Sequence, residues 1–333
     1  MVYIIEPSNW SINMDGEQLV KELNAQKLLK SRTSSGVRGL KNTIIHFGSI
    51  NTIVNSRGVV HCDKSNKIIL TWFHVLDDDP RKKYIATLLQ CVDIFHTASS
   101  GTKHSLVKIG IPSKKIIVIP LGVDTNHFRP VDNLNKASIR QGLKIPNNKL
   151  IIGSFQKDGV GWGRGDEPKL IKGPDILCNV IERLSRQLNI HVLLTGPARG
   201  YVINRLITAG ISYTHSYLKN YLDIVKYYQA LDMYLVTSRI EGGPKAILEA
   251  WATGIPVVTT RVGMVDDICS DNNCAITEIN DEVALCRQTL DLLVSRVKIA
   301  KLRQGGLRAV MEFDWSKIAQ NYYSQIYSRF MHA

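Results

Sequence analysis

The sequence has little that would hold a metal, cross a membrane or grip nucleic acid. Its six cysteines, Cys62, Cys91, Cys178, Cys269, Cys274 and Cys286, form no C-x-x-C pair and no Cys/His cluster of zinc spacing. They read as buried or incidental thiols of a reducing cytosol. No run approaches the ~18 apolar residues that a spanning helix needs. The opening Met1-Val-Tyr-Ile-Ile-Glu-Pro7 lacks the basic and apolar stretches of a signal peptide, so a cytoplasmic location is expected. There is no Walker loop and no G-x-G-x-x-G. The one glycine-rich stretch, Gly159-Val-Gly-Trp-Gly-Arg-Gly165, fits neither and reads as a flexible loop. Nucleic-acid motifs and aromatic-basic stripes are also missing, so no nucleic-acid partner is expected.

What is present is a globular composition, 44% hydrophobic and 21% charged, over 333 residues. At roughly 150 residues per domain this length implies two domains, each able to bury a core without disulfides. The net charge of +13 is shared along the chain. Residues 1–130 hold 17 Lys and Arg against 10 Asp and Glu. Such a surface suits solubility with a phosphate site, or an anionic partner.

Short β-branched runs alternate with helical patterns, which argues for parallel sheets covered on both faces. The first set is Val2–Ile5, Ile44–Phe47, Ile68–Phe73, Asp93–Thr97 and Ile116–Ile119. The second is Leu150–Gly153, His191–Thr195, Met233–Thr237 and Ile255–Thr259. Helical stretches lie at Glu17–Lys30, Pro174–Leu188 and Lys219–Leu231. About five strands per set make one doubly wound sheet each. The polar segment Asn126–Asn148 reads as a linker. In folds of this type ligands bind outside the carboxyl ends of the strands.

The most informative segment is Ser238-Arg-Ile-Glu-Gly-Gly-Pro-Lys-Ala-Ile-Leu-Glu249, which follows a strand and opens a helix. Gly242 and Gly243 let backbone approach a ligand, and Pro244 suits a first helical turn. A helix N-terminus carries about half a positive charge and favours an anion. Glu241 precedes this helix and Glu249 lies roughly two turns in, so two carboxylates can meet one ligand at different depths. Carboxylates accept from paired hydroxyls such as those of a sugar. The alternative is that Glu241 is a first-turn charge and Glu249 lies on a solvated face. Glu249 stands against it, because Ala246, Ile247, Leu248, Ala250 and Trp251 make the helix mostly apolar.

Glu241-x7-Glu249 followed by Ala250-Trp-Ala-Thr-Gly-Ile-Pro-Val-Val258 closely resembles the signature of the GT4 family of retaining glycosyltransferases. Pro120-Leu-Gly-Val-Asp-Thr-Asn-His-Phe-Arg-Pro130 resembles that family's interdomain segment, and Lys172-Gly173 its K-G motif. Phe313-Asp-Trp-Ser316 and the helix after it are similar to its C-terminal helix. The resemblance spans about residues 68 to 330. It implies the GT-B fold: two Rossmann-like α/β domains whose parallel sheets face a central cleft. Residues 1–128 would form the acceptor-side domain, 129–148 the linker and 149–315 the donor-binding domain. A last helix, about 316–330, would pack back on the first domain.

The resemblance also implies roles. Glu249 would bind the ribose hydroxyls of a nucleotide. Glu241 would hold the transferred sugar, aided by backbone N–H groups at Gly242 and Gly243. Lys172 would bind the diphosphate, with Lys157 or Arg164 as the second cation. His74 would stand beside the reacting sugar from the N-terminal domain, though a histidine at a strand end is often structural. Arg199, in Gly196-Pro-Ala-Arg199, lies in a loop that resembles the one beneath the nucleotide and receives no role. The N-terminus departs from the family, whose glycine-rich turn is replaced by Pro7-Ser-Asn-Trp-Ser-Ile-Asn-Met-Asp-Gly16.

The expected activity is transfer of a sugar from a nucleoside-diphosphate sugar to a glycan or lipid-linked acceptor, with retained configuration and no cofactor. A nucleotide-sugar epimerase, a phosphorylase or a non-catalytic sugar-nucleotide-binding protein are the alternatives. No metal is expected. The one dense acidic run, Asp77-Asp-Asp79, is followed by Pro80-Arg-Lys-Lys83 and reads as an acidic helix start. The Glu17–Lys30 helix mixes Leu19, Val20, Leu23, Leu28 and Leu29 with Lys21, Lys27 and Lys30. It fits a core-facing amphipathic helix, or peripheral contact with anionic lipid.

Overall fold

A computed structural model describes residues 1–6, 11–76 and 78–331, without the side chains of residues 11 and 12. Two compact units divide the chain: residues 1–122 with 312–333, and residues 123–311.

In the first unit the strands are β1 (Val2–Ile4), β2 (Arg32–Ser34), β3 (Ile44–Phe47), β4 (Val54–Asn55), β5 (Gly58–Val59), β6 (Lys67–Thr71), β7 (Ile94–Thr97) and β8 (Ile116–Val118). Strands β4 and β5 form a small antiparallel hairpin. The others make a six-stranded parallel sheet of order β2-β1-β3-β6-β7-β8. Side chains alternate between its faces, as pleating requires. Val2, Ile4, Ile45, Phe47, Ile68 and Leu70 enter one core. Tyr3, Ile44 and Ile69 enter the other, with Leu19 and Leu23 of the helix Ser11–Ala25 and Trp315, Ile318 and Tyr322 of the helix Trp315–Gln325.

This second core carries a polar chain. His46 Nδ1 lies 2.6 Å from the Tyr327 hydroxyl and Nε2 lies 2.8 Å from the Thr71 hydroxyl. Thr71 is 2.9 Å from His96 Nδ1, and the Tyr322 hydroxyl is 3.0 Å from His96 Nε2. The network ties the last helical segment to β3, β6 and β7. Burial disfavours the imidazolium, so His46 is held well below its ordinary pKa and His96 falls to about 4.

In the second unit the strands are β9 (Leu150–Ser154), β10 (Ile190–Thr195), β11 (Tyr213–Ser216), β12 (Met233–Val236), β13 (Val257–Thr260) and β14 (Ala275–Thr277). All pair in parallel, in the order β11-β10-β9-β12-β13-β14. This is the doubly wound Rossmann order, whose switch point falls between β9 and β12.

Three expectations need correction. Each sheet has six strands rather than about five. The extra ones, β2, β11 and β14, are short edge strands; β2 (Arg-Thr-Ser) and β11 (Tyr-Thr-His-Ser) are polar and only partly buried, so no apolar run marked them. The segment read as a linker contains the helix Asn133–Gly142. Its Lys136 and Arg140 both pair with Asp232 at 2.7 Å, a contact between residues distant in sequence. The helix placed at Glu17–Lys30 runs instead from Ser11 to Ala25. Its Leu19 and Leu23 are buried in the core, so those positions are not available to lipid.

Candidate donor site

The loops after β9 and β12 leave the sheet at the switch point, and they carry most of the candidate residues. Lys172 ends a short 3-10 turn, Leu170–Lys172, and Gly173 follows with φ 62°. A Cβ on Gly173 would lie 1.9 Å from the Thr237 carbonyl oxygen. Only glycine permits both this left-handed turn and this approach to the end of β12. The turn is also clamped by Arg239, whose guanidinium forks onto Asp175 at 2.7 and 2.8 Å and donates to the Leu170 carbonyl.

The clamp sets Lys172 Nζ 2.7 Å from Glu241 Oε1, with both side chains mostly buried. The Ser238 hydroxyl donates to the same carboxylate oxygen at 2.8 Å. Gln156 Nε2 donates to the Lys172 carbonyl at 2.8 Å, and its Oε1 is 3.2 Å from the Ser238 hydroxyl. Glu241 is thus held by a cation and a hydroxyl.

Lys169 completes a cationic group. Burial lowers its pKa first; Lys172 and Lys157 lower it further, while Glu241 opposes them. Lys169 thus lies within electrostatic reach of Lys172, Lys157 and Glu241, a local excess of positive charge suited to a polyanion. Lys157 Nζ also lies over the Trp162 ring, 4.1 Å from its centroid. Arg164, the competing second cation, is exposed and turned elsewhere. It pairs with Asp166 at 3.1 Å and donates to Asn204 at 2.7 Å.

Glu249 is 1% exposed, on the helix Lys245–Ala252. The Tyr228 hydroxyl donates to Oε2 at 2.8 Å and the Tyr221 hydroxyl donates to Oε1. Burial, then the Glu249 charge, pushes the Tyr228 phenol well above its ordinary pKa, so it stays a donor. The solvated-surface alternative fails for this residue. Pro244, expected within the first turn, sits at the cap position before Lys245. Glu241, Gly242 and Gly243 therefore lie in the loop ahead of the helix. Gly263 packs beneath that loop, where a Cβ would come within 3.0 Å of the Gly242 carbonyl oxygen.

Arg199 is buried and structural. Its Nη1 donates to the carbonyls of Ser154, Gln156 and Thr195, and its Nε lies 3.0 Å from Asp158 Oδ1. It fixes the backbone from which Lys157 projects.

In the first unit, His74 is half-buried beyond the end of β6, and the Trp72 indole donates to its carbonyl at 3.0 Å. Asp77 lies outside the described residues, as do Pro7, Ser8, Asn9 and Trp10 of the replaced glycine-rich turn. Asp79 caps the 3-10 turn Pro80–Tyr84 and accepts from Arg81 Nε and Nη2 at 2.7 Å. Burial works against the Asp79 charge, but Arg81 outweighs it, with a smaller pull from His74. Among the described residues no three His, Cys, Asp or Glu side chains cluster as metal ligands.

Sequence reasoning missed Lys169, Ser238, Gln156, Tyr221 and Tyr228. A signal existed for two pairs. Lys169 and Lys172 are three apart across a single turn, and Tyr221 and Tyr228 are seven apart in the stretch read as helical, which places the tyrosines on one face.

Residues 160–295 match the family of glycosyl transferases group 1. The D-inositol 3-phosphate glycosyltransferase of Xylanimonas cellulosilytica is 27% identical over 221 residues, covering 63% of this chain and 50% of the relative. The lipopolysaccharide core biosynthesis mannosyltransferase LpsB of Rhizobium meliloti is 26% identical over 201 residues, covering 57% of this chain and 54% of the relative. The chain spans about half the length of these curated relatives. Anabaena Alr3699/HepE, solved in complex with UDP and glucose, superposes with a TM-score of 0.77 at 15% identity, covering 98% of this chain and 99% of that one. The helix that carries Glu249 and the loop that carries Lys172 lie inside the matched segment. Residues 160–295 thus resemble the glycosyl transferases group 1 family, and the chain has the GT-B fold.

Proposed function

We propose that this chain is a retaining glycosyltransferase that moves a sugar from a nucleoside-diphosphate sugar to an acceptor hydroxyl without a metal. The observation that carries this reading is the Lys172–Glu241 pair at 2.7 Å, within electrostatic reach of Lys169, at the switch point of a Rossmann sheet. One structural neighbour, Alr3699/HepE, is solved with UDP and with UDP-glucose, which supports a nucleotide-sugar donor.

In this reading the lysines bind the diphosphate and Glu241 accepts from sugar hydroxyls. Glu249 binds the ribose. As the bond from the anomeric carbon to the diphosphate breaks, negative charge grows on the departing oxygen. Fixed ammonium groups stabilise it without reorganisation, which is the usual route to a large rate gain. The acceptor oxygen bonds to the anomeric carbon on the same face, and its proton passes to the diphosphate. His74 is proposed for the acceptor side. The acceptor is a glycan or lipid-linked sugar, and peripheral contact with anionic lipid would rest on exposed Lys and Arg charge.

The test is calorimetric titration of the full chain with UDP-, GDP- and ADP-sugars, followed by transfer assays in excess EDTA. Saturable binding that Lys172→Ala weakens is expected, with a product whose anomeric configuration by NMR matches the donor. Binding of no sugar nucleotide would refute the donor site. An inverted product would refute retention, and activity lost in EDTA and restored by Mn²⁺ would refute metal independence.

A further inference from the structure

Apart from Trp162 against Lys157, the glycine-rich stretch Gly159–Gly165 has no part assigned in the site described above, yet its base is closely held. It forms a hairpin-like excursion between Lys157 and Lys169. Its base is closed by Gly159 bridging Pro168, by the Val160 amide donating to the Glu167 carbonyl, and by the Lys169 amide donating to the Asp158 carbonyl. The buried Asp158–Arg199 pair anchors it from below. Gly165, at φ 77°, lies against the backbone of Ala198, where a Cβ would meet atoms at 2.4 Å. The Gly200 amide donates to the Arg164 carbonyl at 2.8 Å. The base is therefore pinned to the loop after β10.

The tip is different. Around Gly161 and Gly163 a Cβ would meet nothing within 4 Å. Between them stands Trp162, 64% exposed. An indole of this size in water is unusual unless something covers it. Its face is met by the Lys157 ammonium, a cation–π contact that is weak at an exposed position. A diphosphate would attract that ammonium more strongly, because a charge-assisted bond to phosphate exceeds an exposed cation–π contact.

We infer that Trp162 is a stacking platform for the base of the donor nucleotide, uncovered when Lys157 leaves the indole face for the diphosphate. The inference rests on the proposed donor site. Every nucleobase has a π face, so the platform adds affinity across bases, while hydrogen bonds elsewhere choose among them. Trp162 touches the nucleotide and not the reacting atoms; it is a binding residue.

The experiment titrates the full chain and its Trp162→Ala and Trp162→Tyr variants with UDP, GDP, ADP and pyrophosphate, by calorimetry and by tryptophan emission. Trp72, Trp251 and Trp315 are buried, so Trp162 is the water-facing indole among the described residues, and Trp162→Tyr supplies the background of the rest. Nucleoside diphosphate should quench emission in the native chain and not in Trp162→Tyr. Trp162→Ala should weaken it about 5- to 150-fold, the range for losing one base–aromatic stack, and Trp162→Tyr much less. Pyrophosphate should bind all three chains alike. Unchanged nucleoside diphosphate affinity in Trp162→Ala overturns the platform and leaves the donor site standing. So does an equal loss for pyrophosphate, which would assign the effect to Lys157. Binding of none of the four ligands by the native chain overturns the donor site and the platform together.

Discussion

Replacing Glu249 by alanine should separate its structural role from its proposed ligand role. In the folded chain both carboxylate oxygens accept from tyrosine hydroxyls, one of them the fully buried Tyr228. A hydrogen bond to a charged group contributes about 1.5–3 kcal/mol, and a buried hydroxyl left without a partner costs about 1–3 kcal/mol. Tyr221 is half-buried and can turn to water, so its loss adds little. The carboxylate's own desolvation offsets part of the total. We expect a net destabilisation of about 2–3 kcal/mol, read as a midpoint lowered by about 4–12 °C for a domain of this size. Glu249→Gln keeps the shape, and its amide can accept from one phenol while donating to the other, so it should cost about 1 kcal/mol or less. It nevertheless removes the charge offered to ribose, and nucleoside diphosphate affinity should fall about tenfold. Chemical denaturation and calorimetry on the same samples read both effects. An unshifted midpoint in Glu249→Ala would refute the tyrosine clamp. Unchanged nucleotide affinity in a folded Glu249→Gln would refute the ribose role.

Other outcomes follow from the same geometry. Lys172→Ala should lower the transfer rate on the order of 10²-fold, the scale of one preorganised donor, in steady-state assays; a near-native rate would remove Lys172 from the mechanism. Glu241→Gln should chiefly impair sugar transfer, leaving nucleoside diphosphate binding by calorimetry near native, and the reverse pattern would reverse the assignments of Glu241 and Glu249. Stability should fall in acid. His96, held near pKa 4 by burial against an ordinary 6.5, contributes in full above pH 6.5 and is lost as pH falls toward 4, by about 2 kcal/mol at pH 5; His46 adds in the same direction, and equal urea midpoints at pH 7.5 and 5 would refute the neutral buried pair. Gly173→Ala should destabilise by more than about 2 kcal/mol, because it combines a left-handed φ with backbone contact at Thr237; native stability of that variant by denaturant titration would show that the turn is not built as described.

Much of this was legible in the chain itself. Buried parallel strands read as apolar runs because both faces are covered, so β3, β7, β9, β10 and β12 appear in the sequence within a residue or so of their ends. Glu249 stood out as a charge on an apolar helix, and Lys172-Gly173 by its resemblance to a K-G motif; the left-handed turn that requires Gly173 came only from the structure. The edge strands did not show, because half-exposed strands carry no obligatory pattern. Nor did the helix Asn133–Gly142, whose Lys136 and Arg140 pair with Asp232, 96 and 92 residues away.

The sequence by itself determined two doubly wound sheets and the acidic residues on one loop and one helix, because periodicity and local turn chemistry act between neighbours in the chain. Only the tertiary structure decided which charges meet. It set Lys172 on Glu241, turned Arg164 away to Asp166, and closed two tyrosines over Glu249. Partner choice among similar side chains depends on where parallel strands bring loops together, and that is fixed by the burial of the whole sheet rather than by any local spacing.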